Sequence, residues 1–452
     1  LDTHLTIHSD SSLRVLAGHP GSAGVGGQLS PSQEIAFLAD MIGLLLVNPF
    51  LKLIRLWQFS SAEWVVILSL SLMGSVIAGS ALLWQFPHPI ITPIRDQAKN
   101  PEWKTKNLLQ YVPDIMMVDV KPTPNEPEPK ALDDYFKGMG KKGHPIGLGD
   151  VPWEKWAPTL SFWFTLLALS FTAGICAVIV VHRQWAEREH LSYPIVTFAN
   201  ELLQTEPGRA WNPIFRQKGF WIGCAVALVV LSTKGMNTWF KSFPAIAMQV
   251  DCTALRELEI IKPFLKVPEA QRALRIEFYF AAIGLAYFLS SEASFSLGIS
   301  GWLYLLAAAP LVARGVDMSR GFLSGGLPSY MYFGAYLGMG IMVVYLGRRF
   351  YWAVVKRMLF IPDKAADVLP REAWAARIGM LACILMVGML WKIGLHPALG
   401  IAFSVLTILL FLIIGRVNAA TGLFLIQPFW NPVVILVGLL GTIALGPKTL
   451  MI

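Results

Sequence analysis

The sequence has few charged residues for its length. Of its 452 residues, 15% are Asp, Glu, Lys or Arg and 55% are hydrophobic, whereas soluble domains carry about 25% charged residues. Its mean hydropathy is +0.54. A surface so poor in charge is not covered mainly by water, which excludes an ordinary soluble protein. The composition predicts an integral membrane protein, and the 16 Trp and 26 Phe residues suit its lipid–water interfaces.

Signatures of catalysis and of metal binding are also lacking. The sequence contains no HExxH, GxSxG or GxxxxGKS/T pattern. Its four cysteines are far apart and form no CxxC pair, so they are predicted to be small apolar fillers. His4 and His8 lie in a Gly- and Ser-rich segment that offers no third ligand. We therefore expect no enzymatic activity, no metal site and no cofactor.

The net charge of +8 does not indicate nucleic acid as a partner, because the excess lies in short loops between apolar segments. The expected partners are the lipid bilayer and either other membrane-protein subunits or further copies of the same chain.

Apolar stretches of about 20 residues, the length that crosses a bilayer as a helix, recur along the chain. Clear stretches are residues 34–54, 62–85, 159–181, 220–240, 330–346, 376–395 and 397–414. Residues 276–313 are interrupted at Ser290-Ser291-Glu292, which predicts two spans that meet at a polar break. Residues 419–445 are broken at Pro428 and Pro432, since proline removes a backbone donor. The predicted fold is an all-α bundle of about ten transmembrane spans with interrupted helices.

Four regions follow from this pattern. Residues 1–33 form a Gly/Ser-rich segment, residues 34–85 the first two spans, residues 86–157 an extracytoplasmic insert and residues 158–452 the main bundle. Lysine and arginine cluster after residues 34–54, 159–181 and 330–346. If residues 276–313 cross twice, all three basic loops lie on the cytoplasmic side, opposite the insert; if they cross once, this rule breaks. The expected location is the bacterial inner (plasma) membrane. The chain begins at Leu1 and ends abruptly, so we expect a longer natural protein.

Glu292 is a candidate substrate-binding residue because a carboxylate inside apolar sequence is costly unless it is paired or hydrated. Ser291 and Ser294 lie beside it and can bond backbone groups that the break leaves free. The alternative is a tight turn that leaves Glu292 in water. Lys234 and Asn237, late in their own span, complete the group. Lys234 either pairs with Glu292 inside the bundle or extends toward the headgroups.

Gln427 and Asn431 lie in the second interrupted stretch and are also candidate substrate-binding residues. Broken helices near mid-membrane are where transporters build substrate sites, because half-helix ends present unpaired backbone groups. The alternative is a helix–turn–helix at an interface.

The stretch from His182 to Pro194 joins a charged helix end to a short apolar piece, residues 191–203, that is too short to span. It predicts either a re-entrant segment lining a cavity or an amphipathic surface helix held by Glu–Arg pairs. Trp153, Trp156 and Trp185 lie beside span boundaries and are predicted at headgroup depth.

Several short stretches match in order a family of known architecture. They are Val47-Asn48-Pro49-Phe50-Leu51, Pro152-Trp153 with Trp156, Arg183-Gln184-Trp185 through Pro194, and Ile283-Gly284-Leu285-Ala286-Tyr287-Phe288 followed by Ser294-Phe295-Ser296, with a weaker match at residues 416–422. The sequence thus resembles a group of uncharacterised bacterial multi-span membrane proteins, distant relatives of the oligopeptide transporter superfamily. Related proteins carry an acidic residue after the position of Arg416, where this chain has Ala419-Ala420, so the resemblance gives no support to ion coupling there.

Two functions remain open from the sequence. The first is a secondary transporter or permease of a small polar solute or peptide, with its site where the two interrupted stretches meet. The second is a non-catalytic structural subunit of a larger membrane assembly, which the small number of charges within the spans favours.

Overall fold

The computed structural model describes residues 40, 42–54, 59–78, 86–119, 130–139, 147–203, 211–259, 261–267, 270, 274–318, 326–361, 368–423, 426 and 428–452. The α-helices are α1 (Asn48–Leu53), α2 (Ser61–Ala78), α3 (Pro87–Lys99), α4 (Pro101–Lys106), α5 (Lys130–Lys137), α6 (Trp153–Arg183), α7 (Pro194–Leu203), α8 (Lys218–Trp239), α9 (Lys262–Leu265), α10 (Phe280–Ala286), α11 (Ser291–Ala313), α12 (Leu327–Met358), α13 (Pro370–Lys392), α14 (Pro397–Thr421), α15 (Pro432–Leu440) and α16 (Thr442–Met451). π-Helical turns Gly43–Val47 and Gln184–Arg188 precede α1 and follow α6, and the 3-10 turns are Leu108–Tyr111, Asp114–Met116, Leu148–Asp150, Pro213–Arg216 and Thr253–Glu257. The strands are β1 (Gln249–Asp251) and β2 (Arg275–Glu277).

Six helices of the described chain are long and apolar enough to cross a membrane: α6 with its π-turn, α8, α11, α12, α13 and α14. The chain is therefore a multi-pass membrane protein, and ten spans are not confirmed. Part of residues 34–54 and residues 79–85 lie outside the described residues. The interrupted stretch at residues 419–445 divides into the end of α14 and two helices of nine and ten residues, which are too short to span by themselves.

The prediction of two helical spans in residues 276–313 is wrong. β2 pairs antiparallel with β1, the seven-residue α10 follows, and only α11 is long enough to span. Val267 and Ala270 pack beside Leu305, whereas Phe288 lies 5.8 Å from the ring of Phe198 in α7. From Ser291 to Leu305, α11 rises about 21 Å. Between Ala270 and Ser291 the chain therefore runs the length of α11 as a strand and a short helix, in place of a second long helix. The stretch still passes along the bundle twice, which is why the basic segments after α6 and α12 can lie at the same end.

The core of the bundle is the packing of α6 against α13, α14 and α12. Close approach depends on small residues, as is usual between membrane helices. A Cβ atom added to Gly379 of α13 would lie 2.9 Å from the Cβ of Cys176, and one added to Gly174 would lie 3.0 Å from the Phe411 ring. These contacts bring α6, α13 and α14 together along their middle turns.

The insert covers the end of the bundle where α6 begins. Its apolar cluster consists of Ile90, Ile91, Ile94, Val118 and Leu132, with Trp156 and Trp163 packed against it. The Thr159 hydroxyl donates to the Met117 carbonyl at 2.6 Å and the Trp163 indole donates to the Met116 carbonyl at 3.0 Å. The described part of the insert is therefore a helical unit anchored on α6. Its Pro-rich middle lies outside the described residues.

The opposite end of the bundle carries the basic segments. The Arg188 guanidinium lies 5.1 Å from the ring centre of Phe350, and Val180 packs against the same cluster as Val354. Arg377 donates to the carbonyl oxygens of Met358 and Arg357, at the C-terminus of α12. The described parts of the two larger basic segments thus share one end of the bundle, as predicted. That this end is cytoplasmic stays a prediction.

Candidate functional site

The structure places Glu292 in the first turn of α11, where its side chain is exposed. The Ser290 hydroxyl caps this helix by accepting from the Ala293 N–H at 3.3 Å. Ser291 and Ser294 are exposed as well. Among the described residues Glu292 forms no ion pair, so the structure contains the predicted turn and gives this carboxylate no partner. A binding role for these three residues stays a prediction, and they do not carry the proposal below.

Lys234 is exposed on α8 and is not brought into an ion pair with Glu292 in the described structure. Asn237 closes the end of α8, because its amide donates to the carbonyl oxygens of Phe243 at 2.6 Å and Lys241 at 3.4 Å. In this arrangement Asn237 stabilises the turn that follows α8.

Asn431 caps the half-length helix α15, since its side-chain oxygen accepts from the Val433 N–H at 2.9 Å. Gln427 lies outside the described residues. Trp430, next to Asn431, is 2% exposed and packs 5.2 Å from Phe333 and 5.5 Å from Tyr336 of α12. The helix is thus interrupted between α14 and α15, as the two prolines predict, and Trp430 just before α15 is buried against α12.

A polar cluster that sequence reasoning missed lies where α6 and α14 end. Arg416 is the only charged residue in the 25-residue helix α14. Its Nη1 lies 2.6 Å from Oε2 of Glu189, and each side chain is only 15% exposed. The contact is ionic, and it is not aligned as a hydrogen bond. Two opposite charges 227 positions apart in the sequence are thereby joined inside the fold.

Glu189 is held by the π-turn that follows α6. Its other oxygen, Oε1, accepts from Gln184 Nε2 at 3.3 Å, and Gln184 Oε1 in turn accepts from Arg188 Nη1 at 3.3 Å. By contrast, Glu187 points outward and pairs with Arg183 at 2.8 Å, with its side chain 60% exposed. The sequence-based Glu–Arg pairing within this stretch is thus confirmed for one pair, while the other acidic residue reaches across to α14.

The linker after the π-turn is locally strained. His190 and Tyr193 have φ angles of +49° and +42°, in the left-handed region that non-glycine residues rarely occupy. The linker is tied to α14, because the Tyr193 N–H donates to the Ala419 carbonyl at 2.9 Å and the Ser192 hydroxyl donates to the Ala420 carbonyl at 3.1 Å. π-Turns are frequent at functional sites, and strained backbone residues cluster there as well.

Aromatic side chains enclose the ion pair. Trp185 is 1% exposed and lies 5.2 Å from the Arg416 guanidinium, so its side chain faces neighbouring helices and not lipid. Its position at headgroup depth stays a prediction. Tyr351 lies in the field of both Glu189 and Arg416. The Trp185 indole N–H and the Tyr351 hydroxyl are buried and lie close to each other, although the hydrogen bond between them is poorly aligned. Burial raises the pKa of Tyr193, with Arg416 lowering it and Glu189 raising it.

We call Glu189, Arg416, Gln184, Trp185, Tyr193 and Tyr351 the Glu189–Arg416 cluster. It combines an ion pair with two buried donors, the Trp185 indole and the Tyr351 hydroxyl, that lie beside it. A carboxylate that displaced Glu189 from Arg416 would meet these donors. A signal for it was present in the sequence: a single arginine in a long apolar helix is a site candidate by default. In the described part of the chain, no three His, Cys, Asp or Glu side chains lie together as a metal ion would need.

Comparison with protein families finds one model, which matches residues 23–452 and is described as a family of unknown function, DUF6785. No curated protein and no solved structure matches the chain.

Proposed function

We propose that this chain, which belongs to the DUF6785 family, is a membrane transporter for a small polar solute or peptide, and that the Glu189–Arg416 cluster gates its pathway. The observation that carries the proposal is the ion pair, two opposite charges that are each 15% exposed at the junction of two membrane helices.

Stability alone is a poor reason for such a pair. Removing two charges from water costs several kcal/mol per ion, and apolar replacements of buried pairs are often neutral or stabilising, as a rule of thumb by about 1–4 kcal/mol. Ionisable groups within membrane helices more often mark pathways for ions and substrates. A role for the pair in a conformational switch is therefore favoured over a purely stabilising role.

The backbone around Glu189 is consistent with two states, one in which Glu189 pairs with Arg416 and one in which it is released. The π-turn and the left-handed residues His190 and Tyr193 store strain that a different backbone arrangement would release. Arg416 presents a planar fork that binds carboxylates in pairs of hydrogen bonds. A solute carboxylate, such as a peptide C-terminus, would compete with Glu189 for this fork. The released Glu189 would then take up a proton or contact water.

The path beside this gate would follow the interrupted stretch between α14 and α15. Gly422 ends α14 in a left-handed conformation, with φ of +63°, and α15 begins at Pro432 after Asn431. A half-length helix that starts within a bundle directs its N–H groups into the interior, where transporters bind anionic substrate groups. Asn431, a predicted binding residue, is the N-cap of this half-length helix and therefore lies at the position where an anionic group would bind.

The test is transport by purified protein in proteoliposomes that contain the pH dye pyranine. A panel of dipeptides and small polar solutes is added outside, and internal acidification is followed. Glu189→Gln keeps the size of the side chain but removes its charge, and Glu187→Gln is the matched control in the same turn. We expect solute-driven acidification to fall about tenfold in Glu189→Gln, a factor that corresponds to about 1.4 kcal/mol, and to be unchanged in Glu187→Gln.

Equal rates for the two variants would refute the gate. No flux with any solute in the wild-type protein would count against transport. Size-exclusion chromatography of each variant confirms that it remains folded.

A role as a non-catalytic subunit of a larger membrane assembly is the second candidate. It is favoured by α8, a 22-residue apolar helix with no buried residue, so that most of its surface is open to lipid or to another protein. Purification from native membranes in mild detergent tests it. A stoichiometric partner that is lost when the exposed Trp221 is changed to Arg would support this role, and a lone chain with intact transport would refute it.

A further inference from the structure

An apolar groove lies between α6, α12, α13 and α14, on the basic half of the bundle. Its volume is about 350 Å³. Among the described residues that line it, only the Tyr351 hydroxyl and two cysteine thiols are polar; the rest are Ala, Val, Ile, Leu, Met and Gly. Apolar cavities of smaller size stay dry and take up apolar guests. The groove therefore fits a hydrocarbon occupant and not a hydrated solute.

The groove opens sideways, toward the surface that faces lipid. Val344 and Met380 line the groove and are 55% and 43% exposed. Val355, at the end of the groove nearest the basic segments, is exposed as well. Ala173 and Cys176 form its inner wall and are buried. Since its mouth lies between α12 and α13, a lipid can enter it from the bilayer without passing through water.

The dimensions of the groove match a single acyl chain. Its lining on α12 extends from Val343 to Val355, which corresponds to about 18 Å at 1.5 Å per residue. One leaflet of a bilayer contributes about half of a hydrocarbon core that is about 30 Å thick. An acyl chain that follows the groove would thus extend from headgroup level toward mid-membrane.

The charge at the groove is positive. Val344, Arg348, Tyr351 and Val355 follow the spacing of one helix face, so Arg348 lies on the face that lines the groove. Helix α12 has no charged residue before Arg348, which places this arginine where the apolar part of the helix ends. Arg348 is exposed, and its guanidinium lies over the Tyr345 ring at 4.2 Å.

The neighbouring described segments strengthen this charge. Residues 348–361 and 368–377 contain six basic side chains, Arg348, Arg349, Lys356, Arg357, Arg371 and Arg377, and one acidic side chain, the buried Glu372. Anionic lipid headgroups are attracted to such clusters.

We propose that this groove binds one anionic phospholipid, with an acyl chain along Ala173, Val344 and Met380 and its phosphate beside Arg348. The lipid would complete the packing between α6 and α12, and it would contact the ring of Tyr351, which belongs to both the groove and the Glu189–Arg416 cluster. This proposal is independent of transport.

The experiment is native mass spectrometry of the purified chain, titrated with phosphatidylglycerol or with phosphatidylcholine of identical acyl chains. We expect one tightly bound phosphatidylglycerol, with phosphatidylcholine about fivefold weaker, the factor that one basic side chain contributes at an anionic surface. Arg348→Gln should remove this preference without weakening the binding of phosphatidylcholine, and Arg314→Gln, at the residue that follows α11, is the matched charge control.

Two variants test the groove itself. Ala376→Phe fills it from α13, and Met380→Trp narrows its exposed mouth without entering the core, so that the second remains informative if the first misfolds. Both should lose the tightly bound phosphatidylglycerol, whereas Ala225→Phe on the exposed face of α8 should retain it. Retention of the tight lipid in Met380→Trp would overturn the proposal. Equal binding of both lipids, or no tightly bound lipid on the wild-type chain, would overturn it as well.

Discussion

Removal of one partner from the Glu189–Arg416 pair is expected to destabilise the protein strongly. Loss of one member of a fully buried pair costs about 3–5 kcal/mol, because the other charge is left without compensation. Both side chains retain 15% exposure, so some of this cost is relieved by water. For Glu189→Gln and for Arg416→Met we therefore expect a loss of about 2–4 kcal/mol each.

The double variant distinguishes the interaction between Glu189 and Arg416 from the interactions that each residue makes with other groups. If Glu189 and Arg416 act mainly on each other, the double variant should lose less than the sum of the single variants, with a coupling energy of about 1–3 kcal/mol. The Arg183–Glu187 pair is the matched control in the same segment. Its members are four positions apart, and Glu187 is 60% exposed, so its coupling should be about 0.3–0.5 kcal/mol.

Unfolding by SDS in mixed micelles measures these free energies. A thiol-reactive dye that labels the buried Cys176 on unfolding provides a second readout. Additivity of the two single changes within about 0.3 kcal/mol would refute the reasoning. So would a Glu189→Gln variant as stable as Glu187→Gln.

Two further predictions concern the packing and the topology. Gly422→Ala should destabilise the chain by about 1–3 kcal/mol in the same SDS titration, because Gly422 has φ of +63° and an added Cβ would lie 2.8 Å from the Cβ of Pro194. Gly235→Ala, on a helix with open space around it, should instead leave stability unchanged or raise it by up to about 1 kcal/mol; equal effects of the two changes would contradict this. In a cysteine-free background, a membrane-impermeant maleimide added to cells should label a cysteine at Glu102 in the insert but not one at Lys356. Labelling at position 356 would reverse the orientation.

Much of the membrane architecture could be predicted because hydropathy is a local property. A window of about 20 apolar residues is long enough to form a spanning helix. The stretches at residues 159–181, 330–346 and 397–414 lie within long helices, and those at 220–240 and 376–395 extend past theirs by one and three residues. Pro428 and Pro432 predicted the break before α15 for an equally local reason. The same hydropathy criterion predicted two spans in residues 276–313 incorrectly. Enough apolar residues are present there, but turns separate them into β2, α10 and α11.

The candidate site depended on contacts that no local pattern contains. Glu292 and Lys234 stand out in the sequence because each interrupts apolar residues, yet both side chains are exposed in the fold. Trp185 lies beside a span boundary, yet the helices around it bury it completely.

Hydropathy alone places the chain in a membrane and locates its long apolar helices. The contact between Arg416 and Glu189 follows only from the fold, because it depends on how α6 packs along α14 and on the π-turn that aims Glu189 inward. The hydrophobic effect depends on the amount of apolar surface removed from water and not on which residues cover it. Hydropathy therefore predicts which residues enter the bilayer but not which residues they contact. The ion pair and the groove each arise from the fixed angles and close approach of particular helices, and those are properties of the packed bundle.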